Sequence, residues 1–173
     1  LLQIASLATR RITPALPSVA VAPEGSFTPD GHYPGERFID AVGVRAWGSW
    51  SGSDAHTGSI RIGPFPAPRI LRFGLGGYSS DPANTLRVEL VGTADVLPIP
   101  HHAVGERWHI VDFHLPKTWE GKAIQLVGID QATGIGGWFA LTEPIRGGRG
   151  DGNNALLATF AAWATQGLLL GLV

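Results

Sequence analysis

Apolar and polar residues alternate along residues 108–144 (WHIVDFHLPKTWEGKAIQLVGIDQATGIGGWFALTEP), which predicts three β-strands joined by two loops. In the first strand His109, Val111, Phe113 and Leu115 share one face, and Ile110, Asp112 and His114 the other. The second sends Ala123, Gln125, Val127 and Ile129 to one side and Ile124 and Leu126 to the other; the third is WFALTE, 138–143. Upstream the same period recurs at 59–62, at 69–75 with Leu71, Phe73 and Leu75 on one face, and at 86–90, where Leu86, Val88 and Leu90 alternate with Arg87 and Glu89. Strands that recur every 8–12 residues or so, with turn residues between them, predict an all-β sandwich.

The two ends of the chain depart from this period. Leu1 to Ala8 is apolar and is followed by Arg10 and Arg11. It reads either as the tail of a preceding membrane segment or export signal, or as a terminal helix turn. Residues 12–33 carry Pro14, Pro17, Pro23 and Pro29 with no sustained period, the pattern of an extended linker or an edge segment. Residues 1–35 are therefore expected as linker, 36–146 as the sandwich domain and 147–154 as a Gly-rich hinge. Residues 155–173 (ALLATFAAWATQGLLLGLV) hold no charge, and only Thr159, Thr165 and Gln166 are polar. About 20 apolar residues span a bilayer as a helix, so this stretch predicts a transmembrane helix cut short. Met is absent even at position 1, and the chain is expected to be a piece of a longer membrane protein.

Composition narrows the function classes. A chain of 173 residues with 24 Gly and 13 Pro suits one turn-rich domain. The absence of Cys removes disulfides, thiolate metal sites and Cys nucleophiles. A formal net charge of -1 argues against nucleic acid as a partner, because such binders need a basic face to displace counterions. The sequence has no G-x-S-x-G elbow, H-E-x-x-H, P-loop or G-x-G-x-x-G. His101 and His102 are adjacent, and His109 and His114 are five apart, so in strands each pair faces opposite ways.

Three stretches carry a family resemblance: GSWSGSDAHTGSIRIGPF, RFGLGGYSSDPANTLRVEL and LPKTWEGKAIQLVGIDQATGIGGWFALTEP. With the Trp119–Lys122 turn, the 130–137 loop and the Gly-Trp-Phe-Ala strand, they resemble the galactose-binding-like jelly-roll domain. More narrowly they are similar to the C-terminal carbohydrate-binding module of mycobacterial arabinosyltransferases. The resemblance spans about residues 37–145. It implies a jelly-roll β-sandwich on the periplasmic, extracytoplasmic side of a bacterial inner membrane. That domain would be a non-catalytic accessory to an envelope glycosyltransferase, with a glycan or glycolipid of the cell envelope as ligand.

Sugars stack their C–H faces on aromatic rings and give their hydroxyls to carboxylates and amides. On that chemistry the ligand-binding candidates are Trp47, Trp50, Asp54, His56, Tyr78 and Asp81. Trp119 and Trp138 are further platforms by residue type, although Trp138 lies within an apolar strand, as a core residue does, and Trp119 is expected to pack over its own turn. The resemblance also admits a Ca2+ ion, for which Asp40, Asp130 and Glu143, with Asp54, are the nearest carboxylates. Asp130 has a competing role, capping its own Gly-rich turn. Two other function classes stay open at this point. One is a structural module docked on its own membrane domain or a partner subunit, which would show a large apolar patch on one sheet face. The other is a hydrolase, which would show convergent carboxylates or a His-paired nucleophile.

Overall fold

The computed structural model describes residues 19–32, 44–100 and 105–145. The expected alternation is plainest in Thr85–Leu90, whose residues switch between half-buried and buried at every step. Among the described residues ten strands form. They are β1 (Val21–Gly25), β2 (Thr28–Pro29), β3 (Ala46–Gly48), β4 (Gly58–Pro66), β5 (Ile70–Gly77), β6 (Thr85–Leu90), β7 (Val96–Pro98), β8 (Gly105–His114), β9 (Ala123–Asp130) and β10 (Phe139–Thr142).

The strands make two five-stranded sheets, in the orders β1-β4-β9-β6-β7 and β2-β3-β10-β5-β8. Every pairing is antiparallel. Only the β2–β3 and β6–β7 connections stay within a sheet; the others pass from one sheet to the other. The all-β sandwich expected from the sequence is the observed fold. Between the sheets, Ile60, Ile62, Val88, Ile124 and Leu126 meet Leu71, Phe73, Leu75, Phe139 and Leu141, all of them fully buried.

Register decides what lies at the ends of this core. Gly58 pairs with Asp130, Thr85 with Ile129, and Phe139 with Gly77. The start of β4, the end of β9, the start of β6, the end of β5 and the start of β10 therefore share one rim. The loops 49–57, 78–84 and 131–138 all turn over that rim.

Three expectations change. Residues 21–29, expected within a linker, supply β1 and β2, and Val19 and Phe27 are part of the core. Both strands lie at sheet edges, where Pro23 and Pro29 forfeit no interior ladder bond, which is why a Pro-rich stretch can still pair. Trp47 is in the core rather than on the surface, with the Arg45 guanidinium 5.6 Å from its ring centroid. Trp119, expected to lie over its turn, also enters the core, carried there by a short 3-10 turn over Lys117–Trp119.

The hinge at 147–154 and the membrane helix at 155–173 lie outside the described residues, as do residues 1–18 of the expected linker. Among the described residues no helix is long and apolar enough to cross a membrane.

Phe139 is fully buried and meets the Phe27 ring edge-on at 5.4 Å. Phe139→Ala is expected to destabilise the domain by about 3–5 kcal/mol in chemical denaturation, the cost of lost burial plus a cavity. Ile135→Ala, at a fully exposed position, should stay within about 0.5 kcal/mol of wild type.

Candidate functional site at the loop end

The three rim loops are held by side chains that satisfy backbone groups of their neighbours. Asn84, buried at the end of the 78–84 loop, donates from Nδ2 to the Tyr78 carbonyl at 3.2 Å. Its Oδ1 accepts from the Gln131 and Ala132 amides at 3.2 and 3.4 Å. Ser49, also buried, accepts the Phe139 amide at 3.1 Å and donates to the Phe139 carbonyl at 3.2 Å. The first loop is thereby tied to the start of β10, and the second to the third.

The tip of the third loop is braced from both neighbouring loops. Gly137 donates to the Gly134 carbonyl at 2.9 Å, closing a turn whose apex is the fully exposed Ile135. Gly136 donates to Asp54 Oδ2 at 2.8 Å. Gly136 has φ +73, and a Cβ there would lie 3.2 Å from the Tyr78 ring, so both backbone and space require glycine. Tyr78 in turn meets Trp138 edge-on at 6.1 Å.

Five of the six ligand candidates share this end. Trp50 is half-buried and its amide donates to the Gly31 carbonyl at 3.1 Å. Asp54 braces the Gly136 turn. His56 is exposed, and its Nδ1 shares a 2.5 Å hydrogen bond with the Ser51 hydroxyl. Tyr78 is half-buried, with one ring face against Gly136. Asp81 caps its own turn, accepting the Ala83 amide at 2.8 Å. The sixth candidate, Trp47, is the core residue described above, and Trp138 is 3% exposed.

Of the metal candidates, Asp130 and Glu143 are not brought together. Asp40 lies outside the described residues. Glu143 follows β10 and pairs with Arg45 at the opposite end of the sandwich from Asp130. Among the described residues no three His, Asp or Glu side chains are grouped to hold a metal ion.

Asp130 has a different environment. It points between the sheets at 1% exposure, accepts the Ala132 amide on Oδ1 at 3.1 Å, and leaves Oδ2 buried with no partner. Burial pushes its pKa up to about 6; the Ser49 hydroxyl and the Ala132 amide pull it down, and the Asp81 charge adds to the rise. The Ser49 hydroxyl lies near the carboxyl while its hydrogen bonds go to Phe139.

Beside the loops, an open groove of about 490 Å³ runs along the ends of β1, β4 and β9. Glu24, Thr57, Ser59 and Gln131 supply its polar wall. Sequence reasoning missed Asn84, Ser49, Glu24 and Gln131. Asn84 follows an Asp-Pro-Ala turn and looks like ordinary turn chemistry, and Glu24 lay in the stretch expected to be linker.

Together these features define a two-sheet antiparallel sandwich with one polar, aromatic-bearing loop end. The C-terminal extracellular domain of Mycobacterium tuberculosis EmbC has this fold, at a TM-score of 0.58 and 16% identity over 78% of this chain. The match covers 61% of that domain, so this chain spans less than two thirds of its length. Looser likenesses, on which nothing rests, are to the arabinosyltransferase EmbB from Mycobacterium smegmatis and to a family 29 carbohydrate-binding module. For EmbB the TM-score is 0.43 and the identity 13%, over 65% of this chain and 13% of that one. For the module they are 0.37 and 12%, over 73% and 88%. No protein-family model and no curated protein sequence matches the chain.

Asp130 gives the loop end a pH dependence. Its folded-state pKa, about 6, lies above the ordinary 3.8, so the stability it contributes is full below about pH 4 and is lost as pH rises through 6. Thermal melts from pH 4 to 8 should show Asp130→Asn gaining on wild type across that window. The gain expected is on the order of 1–2 kcal/mol, because water at the rim screens part of the buried charge.

Proposed function

We propose that this domain is a non-catalytic, carbohydrate-binding-like accessory module. It would work on the extracytoplasmic face of a bacterial envelope membrane protein of the glycosyltransferase kind. The observation that carries the proposal is the convergence of Trp50, Asp54, His56, Tyr78 and Asp81, from two separate loops, on one end of the sandwich. Trp50, half-buried at this rim, would be the ring on which a sugar stacks, with the hydroxyl and imidazole of the Ser51–His56 pair at the sugar's edge. Tyr78 serves as the brace that keeps the third loop in place. The fold supports the same reading, since its counterpart in EmbC is an extracellular domain of that protein.

The two other classes find less support. A docking module needs a broad apolar patch. The large exposed hydrophobics of the described residues are Val91 and Val96 at the β6–β7 hairpin, Ile110 on β8 and Ile135 on the third loop, three separate places. A hydrolase needs an oriented base; Ser51 and His56 are hydrogen-bonded, but both are exposed on one loop and, among the described residues, no carboxylate hydrogen-bonds the His56 ring to orient it.

A glycan array probed with the 173-residue chain tests the proposal. Binding to neutral envelope-type glycans is expected, weakened tenfold or more by Trp50→Ala through loss of stacking. A blank array, or a Trp50→Ala protein that binds as wild type does, overturns it.

A further inference from the structure

We infer that the end of the sandwich opposite the loops rests on an anionic phospholipid surface, so that the domain stands with its loop end facing away from the bilayer. Of the proposed function this needs only the placement beside a membrane; it is independent of any sugar.

Register gathers that end as it gathers the rim. β4 closes at Pro66 opposite Ala123, which opens β9, and β5 opens at Ile70 opposite His114, which closes β8. The connections there are bonded to one another. The Ala67 amide donates to the Lys122 carbonyl at 2.8 Å, the Gly121 amide to the Ala67 carbonyl at 2.9 Å, and the Leu115 amide to the Arg69 carbonyl at 3.0 Å. The β6–β7 hairpin joins them through the Val91 amide, which donates to the Ala123 carbonyl at 2.9 Å. Residues 67–69, 91–95 and 115–122 therefore make one surface.

Its exposed side chains suit a phosphate-rich surface. Arg69, Lys117 and Lys122 are exposed, and none of them is in an ion pair among the described residues. Val91 and Val96 of the hairpin add exposed apolar groups. Asp95 and Glu120 are the opposing carboxylates of the same surface, while Arg45 and Glu143 cancel in their salt bridge. At the loop end the sign reverses: residues 49–57, 78–84 and 131–138 hold Asp54 and Asp81 and neither Lys nor Arg. Charge is thus polarised along the strands, and a negative surface attracts one end and repels the other.

The path of the chain argues for lipid as the occupant. Ala20 accepts the Gly63 amide in the latter half of β4, and Ile145 donates to the Arg72 carbonyl in the first half of β5, so the chain enters and leaves toward the basic end. The sequence on either side, 1–18 and 146–173, holds Arg10, Arg11, Arg146 and Arg149 against a single acid, Asp151. Residues 146–154 extend to at most roughly 30 Å, so the charge-free stretch 155–173, seated in a bilayer, would hold this end near its surface. Three cations less two carboxylates leave a surplus of one charge, a weak attraction by itself. A tether makes a weak contact sufficient by raising its effective concentration.

The chain has no Cys, so a single introduced thiol carries a fluorophore to one known place. Ala94→Cys in the hairpin and Ile135→Cys at the loop tip, both exposed positions, are compared in the 173-residue chain reconstituted with vesicles whose headgroups bear a spin label. In vesicles containing phosphatidylglycerol, quenching at position 94 should exceed that at 135 about fivefold, the factor that one net cation beside an anionic bilayer supplies. High salt should erase the difference, as should Arg69→Gln, Lys117→Gln and Lys122→Gln combined, and Glu120→Gln should enlarge it. Equal quenching of the two labels, stronger quenching at 135, or none at either overturns the inference. So does a difference that persists in pure phosphatidylcholine or survives the triple variant, since the tether alone then orients the domain. Each of these results leaves the sugar-binding proposal for the loop end standing, because the glycan array reads that end separately.

Discussion

The loop end depends on one buried side chain, Asn84. Chains that cross between two sheets must turn over the end of the core, where their amides and carbonyls lose water and need partners. Regular ladders cannot supply these, because the strands have ended. Asn84 meets the need for two loops at once, taking the Gln131 and Ala132 amides on one atom and giving to the Tyr78 carbonyl from another. Ser49 does the same between the first loop and β10. The order of the rim is therefore a consequence of polar satisfaction rather than of apolar packing. A loop end fixed in this way has little ordering left to lose.

Much of the sandwich was legible in the sequence, for a reason that also marks the limit. Half-buried strands such as β6, and β9 with Ile124 and Leu126 inward, write a period of two that survives without any tertiary knowledge. β1 and β2 wrote none: they are short edge strands in a Pro-rich stretch, held by pairing to β4 and β3. Trp47 shows a second limit. An indole next to polar loops reads as a platform, and only the register that sets it opposite Leu141 reveals a core position.

The candidate site was legible as residues and not as geometry. The loops bearing Trp50, Asp54, His56, Tyr78 and Asp81 were singled out on composition, and antiparallel pairing brought their ends to one rim. The same pairing separated Asp130 from Glu143. The four residues of β10 carry the chain about 13 Å, from the loop end to the opposite end of the sandwich. A single strand is long enough to cross the core, so the residues at its two ends lie at opposite rims.

Asp130 shows what such an end costs when satisfaction is incomplete. Its Oδ1 does the ordinary work of a turn cap, while Oδ2 is buried without a hydrogen-bond partner. Asparagine would serve the cap without a charge, as Asn84 does immediately before β6. A carboxyl in this position is therefore not explained by the fold, which would be more stable without it near neutral pH. The rim thus holds a neutral amide where its loops are joined and an unsatisfied carboxyl beside them, and only the first is accounted for by the fold.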